Sequence, residues 1–115
     1  MVFIEEYKTL RQAVSLALRS GFSRIPVIRG GIDDVVGVLY LKDVIRRIYD
    51  KPDAQSAERV GSMMRRPLFC PDSKPVDELL QEMQAKRVHL VIVVDEFGGT
   101  AGMITIEDIL EDIVG

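Results

Sequence analysis

Gly37-Val38-Leu39-Tyr40-Leu41-Lys42-Asp43 and Gly102-Met103-Ile104-Thr105-Ile106-Glu107-Asp108 are one pattern written twice: a glycine and an apolar strand running into a helix start that carries an aspartate. The second copy lies 65 positions after the first. Extended outward without a gap, residues 2–49 fall over 67–114, with Gly37 on Gly102, Asp43 on Asp108 and Ile48 on Ile113. Those are the only identities in that register, so the repeat lives in the order of elements rather than in the letters. A unit of this size met twice predicts two similar halves packed face to face, with function in the cleft between them.

Upstream of each pattern the elements come in the same order. Leu10, Ala13, Val14, Ala17 and Leu18 follow the capping residue Thr9 at helical spacing, and Gly21 ends the run, predicting a helix over 9–20. Val76, Leu79, Leu80 and Met83, with Pro75 at the first turn, predict its counterpart over 75–86. Short opening strands precede them at Val2–Ile4 and Leu68–Cys70. The uninterrupted apolar runs Ile25–Ile28 and Leu90–Val94 read as strands covered on both faces. Polar turns over 29–34 and 95–99 then lead through Val35–Leu39 and Thr100–Ile104 into the helices Leu41–Ile48 and Ile106–Ile113. The expected fold is α/β (α+β), two β-α-β-β-α repeats at 1–50 and 61–115 joined by a linker at 51–60 that carries Lys51-Pro52-Asp53.

Composition narrows the function. With 115 residues, 47% of them hydrophobic and 29% charged, the chain can bury one core or two small fused ones. No apolar run approaches the roughly 18–20 residues of a membrane helix, and Glu5, Glu6 and Lys8 break any secretory signal. Cys70 is the sole cysteine, which excludes an internal disulfide and points to a reducing compartment. A net charge of −3 argues against a general nucleic-acid binder, so no nucleic-acid partner is expected.

Thr105 three residues ahead of Asp108 has two readings. It is a capping box, whose side chains satisfy free backbone N–H groups. The same geometry also suits a ligand: a helix N-terminus favours phosphate, and a nearby aspartate accepts from ribose hydroxyls. The first copy keeps Asp43 but puts Tyr40 where the threonine stands, so the two sites are unequal; the phenol either fills the phosphate space or stacks on a base.

The duplicated unit, with Ser23-Arg24-Ile25-Pro26-Val27 before the first turn and Gly-x-x-Thr-x-x-Asp closing the second copy, resembles a tandem pair of CBS domains, often called a Bateman module. The run from Arg87 through His89, Asp95-Glu96-Phe97-Gly98-Gly99-Thr100-Ala101-Gly102 and on to Gly115 is similar to the second CBS domain of the CorC/HlyC group of magnesium and cobalt efflux proteins, also called hemolysin-like. The resemblance covers essentially the whole chain. It implies a pseudo-two-fold pair of repeats that binds adenosine nucleotide, AMP or ATP, with Mg²⁺ accompanying ATP, and modulates an attached ion transporter. Carried over by position, Thr105 and Asp108 would form the second-copy site, with a wall from His89 and Leu90 and adenine contacts around Val2, Phe3 and Ile4. The first-copy site would use Tyr40, Asp43 and Arg24, with Pro67, Leu68 and Phe69 opposite; in the ungapped register His89 stands where the first copy has Arg24. The resemblance further implies a membrane domain in the parent transporter, a position on the cytoplasmic face of the inner membrane, and a homodimer formed through the pair. The chain is therefore expected to be an excised cytoplasmic piece of a longer protein.

Other candidates have structural readings. His89 lies among apolar neighbours with no second ligand at metal spacing, and Cys70 reads as a small core residue. Met63-Met64-Arg65-Arg66 reads as a helix end before Pro67, with a partner surface as the alternative. Glu107, Asp108, Glu111 and Asp112 form an acidic stretch whose default is a solvated face, and no metal site is assigned. No Ser-His-Asp order, Walker loop or paired cysteines appear, so no catalytic residue and no enzyme activity are expected. The competing function is a purely structural dimerisation module with non-functional clefts.

Overall fold

The computed structural model describes residues 1–114, with side chains through Glu111. Its contacts divide the chain after Arg66 into two units. The first contains β1 (Ile4–Glu5), α1 (Leu10–Ser20), β2 (Arg24–Arg29), β3 (Gly31–Tyr40), α2 (Leu41–Asp50) and α3 (Ala54–Ala57). The second contains β4 (Leu68–Pro71), α4 (Val76–Lys86), β5 (Leu90–Val94), β6 (Thr100–Thr105) and α5 (Ile106–Val114). Each holds a three-stranded mixed sheet, β1-β2-β3 or β4-β5-β6, whose central strand pairs parallel with the opening strand and antiparallel with the next.

The central strands explain the apolar runs. Ile25, Val27 and Ile28 of β2 and Leu90, Val91 and Ile92 of β5 are all buried. Pro26 sits in the middle of β2 opposite Val38, where a proline ordinarily costs a ladder hydrogen bond. Here Val38 directs both backbone groups away from it, donating to and accepting from Arg65 at 2.9 Å each. The missing N–H of Pro26 therefore leaves nothing on β3 unpaired.

In the first unit Leu10, Ala13 and Ala17 of α1 and Val44 of α2 close over Ile4, Ile25, Val27 and Leu39. In the second, Leu79 and Met83 of α4 and Ile109 of α5 close over Cys70 and Val91. Cys70 is thus a core residue, and burial pushes its thiol pKa up. At about 25 cal/mol per Å² of apolar area, the leucine, isoleucine, valine and methionine side chains among them each contribute roughly 1.5–3 kcal/mol.

The structure corrects four local expectations. β1 begins at Ile4, so Val2 and Phe3 precede the strand. β3 starts at Gly31, and the predicted turn over 29–34 tightens to Gly30, at φ 84°. The stretch expected as a linker is folded onto the first unit. Ala54 and Val60 are fully buried there, Arg47 holds Glu58 through a bidentate pair, and the backbone of 58–61 bonds to Glu6, Lys8 and Leu10.

The fourth correction is to the repeat itself. The left-handed residues ending the first helix of each unit are Gly21 and Arg87, which lie 66 apart. Arg24 pairs with Tyr40, whereas Leu90, and not His89, pairs with Thr105. Likewise Leu41 N–H donates to the Ser23 carbonyl and Ile106 N–H to the His89 carbonyl. The opening strand, first helix and central strand therefore repeat at 66 and the rest at 65, the first copy having one residue more in its hairpin. His89 is the counterpart of Ser23, and Leu90 is the counterpart of Arg24.

Candidate functional site

At the start of α5, Thr105 and Asp108 form a closed reciprocal cap. The Asp108 N–H donates to Thr105 Oγ1 at 3.2 Å, and the Thr105 N–H donates to Asp108 Oδ2 at 3.1 Å. Two of the donors of the helix N-terminus are thereby satisfied, and a third, the Ile106 N–H, donates to the His89 carbonyl. Thr105 is half-buried and Asp108 exposed, and no cation pairs with the Asp108 carboxylate among the described residues. Pairing with Thr105 brings Leu90 to this end of the sheet, buried, with half-buried His89 bonded through its carbonyl to Ile106. Gly102 lies three residues back along β6, and a Cβ built there would meet nothing within 4 Å. The corner is an open shelf carrying a hydroxyl, a carboxylate and a helix N-terminus, a donor and acceptor set suited to a phosphorylated sugar.

The corresponding corner of the first unit is closed. Tyr40 precedes α2 with no side-chain cap and is buried. The Asp43 carboxylate is taken up by Arg65, whose Nε donates to Oδ2 and whose Nη2 donates to Oδ1, each at 2.8 Å. That guanidinium lies 3.9 Å from the Tyr40 ring centre, and Lys42 approaches the same ring at 5.9 Å. Hydrogen bonding to Arg65 is the main cause holding the Asp43 pKa below the usual carboxylate range. Here Gly37 has a packing role, since a Cβ at that position would stand 2.5 Å from the Met64 sulfur.

The structure thus places Thr105, Asp108, His89 and Leu90 together in the second unit and Tyr40, Asp43 and Arg24 together in the first. Val2 and Phe3 are half-buried and Ile4 is buried in the first unit. In the second, Pro67 and Leu68 are half-buried and Phe69 is exposed. Sequence reasoning missed Arg65, which looked like the end of a helix. Its partner lies 22 residues upstream, beyond the reach of any local pattern.

Two units that share the order β-α-β-β-α, each with an aspartate in the first turn of the helix that follows its third strand, define a duplicated α+β module. The chain belongs to the CBS-domain family, which matches residues 1–50 and 58–115, and it carries two copies. A UPF0053 protein of Mycobacterium tuberculosis is 50% identical over all 115 residues, and the magnesium and cobalt efflux protein CorC of Escherichia coli K12 is 39% identical over the same span. This chain covers 26% and 38% of those proteins respectively, well under half of either.

Among solved structures, the CBS domain of a bacterial CNNM/CorC family Mg²⁺ transporter in complex with ATP matches at a TM-score of 0.94 and 42% identity. That match covers 100% of this chain and 80% of the other. A CBS-domain pair with bound AMP from Klebsiella pneumoniae matches at 0.82 and 28% identity, covering 100% and 90%. The resemblance read from the second copy is thereby established at the level of family. No described helix is long and apolar enough to cross a membrane.

Proposed function

We propose that the chain is a regulatory module that binds an adenosine nucleotide, AMP or ATP, at the Thr105–Asp108 corner, and that it modulates a CorC-type magnesium or cobalt transporter. The observation that carries the reading is the state of that corner. Its carboxylate is exposed and unpaired with any described cation, and it lies beside a helix N-terminus and the open space over Gly102. ATP in a 42% identical relative and AMP in a more distant one supply the ligand class. Phosphate would lie at the positive end of the α5 dipole beside the threonine hydroxyl, while Asp108 would accept from the ribose, with Mg²⁺ accompanying the phosphates of ATP. In this reading the module is not an enzyme, faces the cytoplasm, and acts by preferring nucleotide in one of two arrangements of an attached membrane domain.

Titration of AMP, ADP and ATP, with and without Mg²⁺, by calorimetry tests the reading. Binding that is lost in Asp108→Ala supports it, and no heat with any nucleotide at millimolar concentration sinks it. Because Asp108 also caps α5, the unliganded variant loses about 1 kcal/mol of stability. Its melting temperature without ligand separates that loss from the loss of binding.

One observation favours the structural reading, dimerisation, as a companion role. Ile45 and Tyr49 on the outer face of α2 are 48% and 86% exposed. With Ser23, Leu41, Lys42 and Arg46 they line an open groove of about 580 Å³. An apolar strip on a regular helix suits self-complementary pairing with a second copy.

A further inference from the structure

We propose that Arg65 is an internal ligand of the first corner, occupying the positions that a nucleoside would take and so closing that corner to an external nucleotide. The proposal rests on the nucleotide reading above only in its choice of probe.

Two features of the corner would recommend it to a nucleoside. Tyr40 offers an aromatic face, and Asp43 offers a carboxylate with two oxygens. Arg65 answers both. Its planar guanidinium stacks 3.9 Å from the ring centre, as a base would. Its two N–H groups donate to the two carboxylate oxygens at 2.8 Å, as a pair of vicinal hydroxyls would. The backbone exchange between Arg65 and Val38 fixes the side chain's root, so the guanidinium is delivered by the fold rather than found by chance. Arg65 also lies at the end of the first unit, three residues before β4. The tie therefore fastens the segment through which the chain leaves that unit.

An external ligand must break a bidentate charge-assisted pair and lift a stacked cation before it gains the same contacts. The second corner demands neither, since among the described residues Asp108 is bonded only to its own helix cap. The inequality between the copies is thus set less by the exchange of threonine for Tyr40 than by an arginine outside the repeated pattern.

The test is stoichiometry, read by calorimetric titration of the whole chain with AMP. Wild type is expected to saturate at one nucleotide, and Arg65→Ala is expected to gain one further binding event that Asp43→Ala in the same background removes. If wild type takes none and Arg65→Ala takes one, this proposal stands while the reading of the second corner fails. Equal stoichiometry in the two proteins, or two nucleotides in wild type, overturns it. Should Arg65→Ala lose its cooperative melt, Arg65→Met keeps an apolar stem over Tyr40 and frees Asp43; absence of the extra event there overturns the proposal equally.

Discussion

Gly37 and Gly102 share a letter and a place in the repeat, but different physical needs hold them. A methyl at Gly37 would stand 2.5 Å from the sulfur and 2.9 Å from the Cβ of Met64. The sulfur can swing away; the Cβ moves only with its backbone. Gly37→Ala is therefore expected to cost about 1–3 kcal/mol, typical of overpacking, while Gly102→Ala, which meets nothing, stays within about 0.5 kcal/mol. Urea unfolding of the two variants checks the contrast, and equal losses would contradict it. Thr105, Asp108 and Asp43 were all legible as candidates because each sits at a helix start within a repeated phrase. What separates Asp108 from Asp43 was not legible, because Arg65 reaches its partner through the tertiary path along Val38.

At the scale of elements, α4 carries its own electrostatic clip. Glu82 is bonded to Lys74, just ahead of the helix, and to Lys86 one turn on, the latter at 2.9 Å. The two ammonium groups hold its pKa down to about 2 from an ordinary 4.5. A lowered folded-state pKa means that this stabilisation is fully present above the unfolded value and is lost as pH falls through the folded one. The stability gap between wild type and Glu82→Gln should accordingly be flat above about pH 5 and close between about pH 4.5 and pH 2. Urea midpoints across that range measure it, and a gap that persists at pH 2 would show that the clip is not the cause. Helix and strand identities were readable here because periodicity reports burial. The stripes also carried the true spacing, since Leu10, Ala13, Val14 and Ala17 fall on Val76, Leu79, Leu80 and Met83 at 66. The identities at Gly37, Asp43 and Ile48 concealed it, because all three lie beyond the hairpin that absorbs the extra residue.

On the scale of the whole molecule, the module is a pair of family repeats with a folded connection. The pairing proposed for the α2 groove is testable without ligand. Sedimentation equilibrium at micromolar concentration is expected to return a dimer, and Tyr49→Glu, which puts a charge in the apolar groove of α2, should weaken it by at least about tenfold, or about 1.4 kcal/mol. A clean wild-type monomer would refute the pairing. The connection escaped sequence reading because Ala54 and Val60 are single apolar residues in a polar stretch. A single buried residue leaves no period to detect.

By itself the sequence determined the class: two copies of an α+β unit, the strands hidden on both faces, and two helix starts with an aspartate each. These follow from local spacing, which needs no knowledge of what lies across the fold. Only the tertiary structure decided which aspartate is open. That outcome depends on a guanidinium brought through space onto Tyr40 and Asp43, and contacts between residues distant in the chain leave no mark in local periodicity.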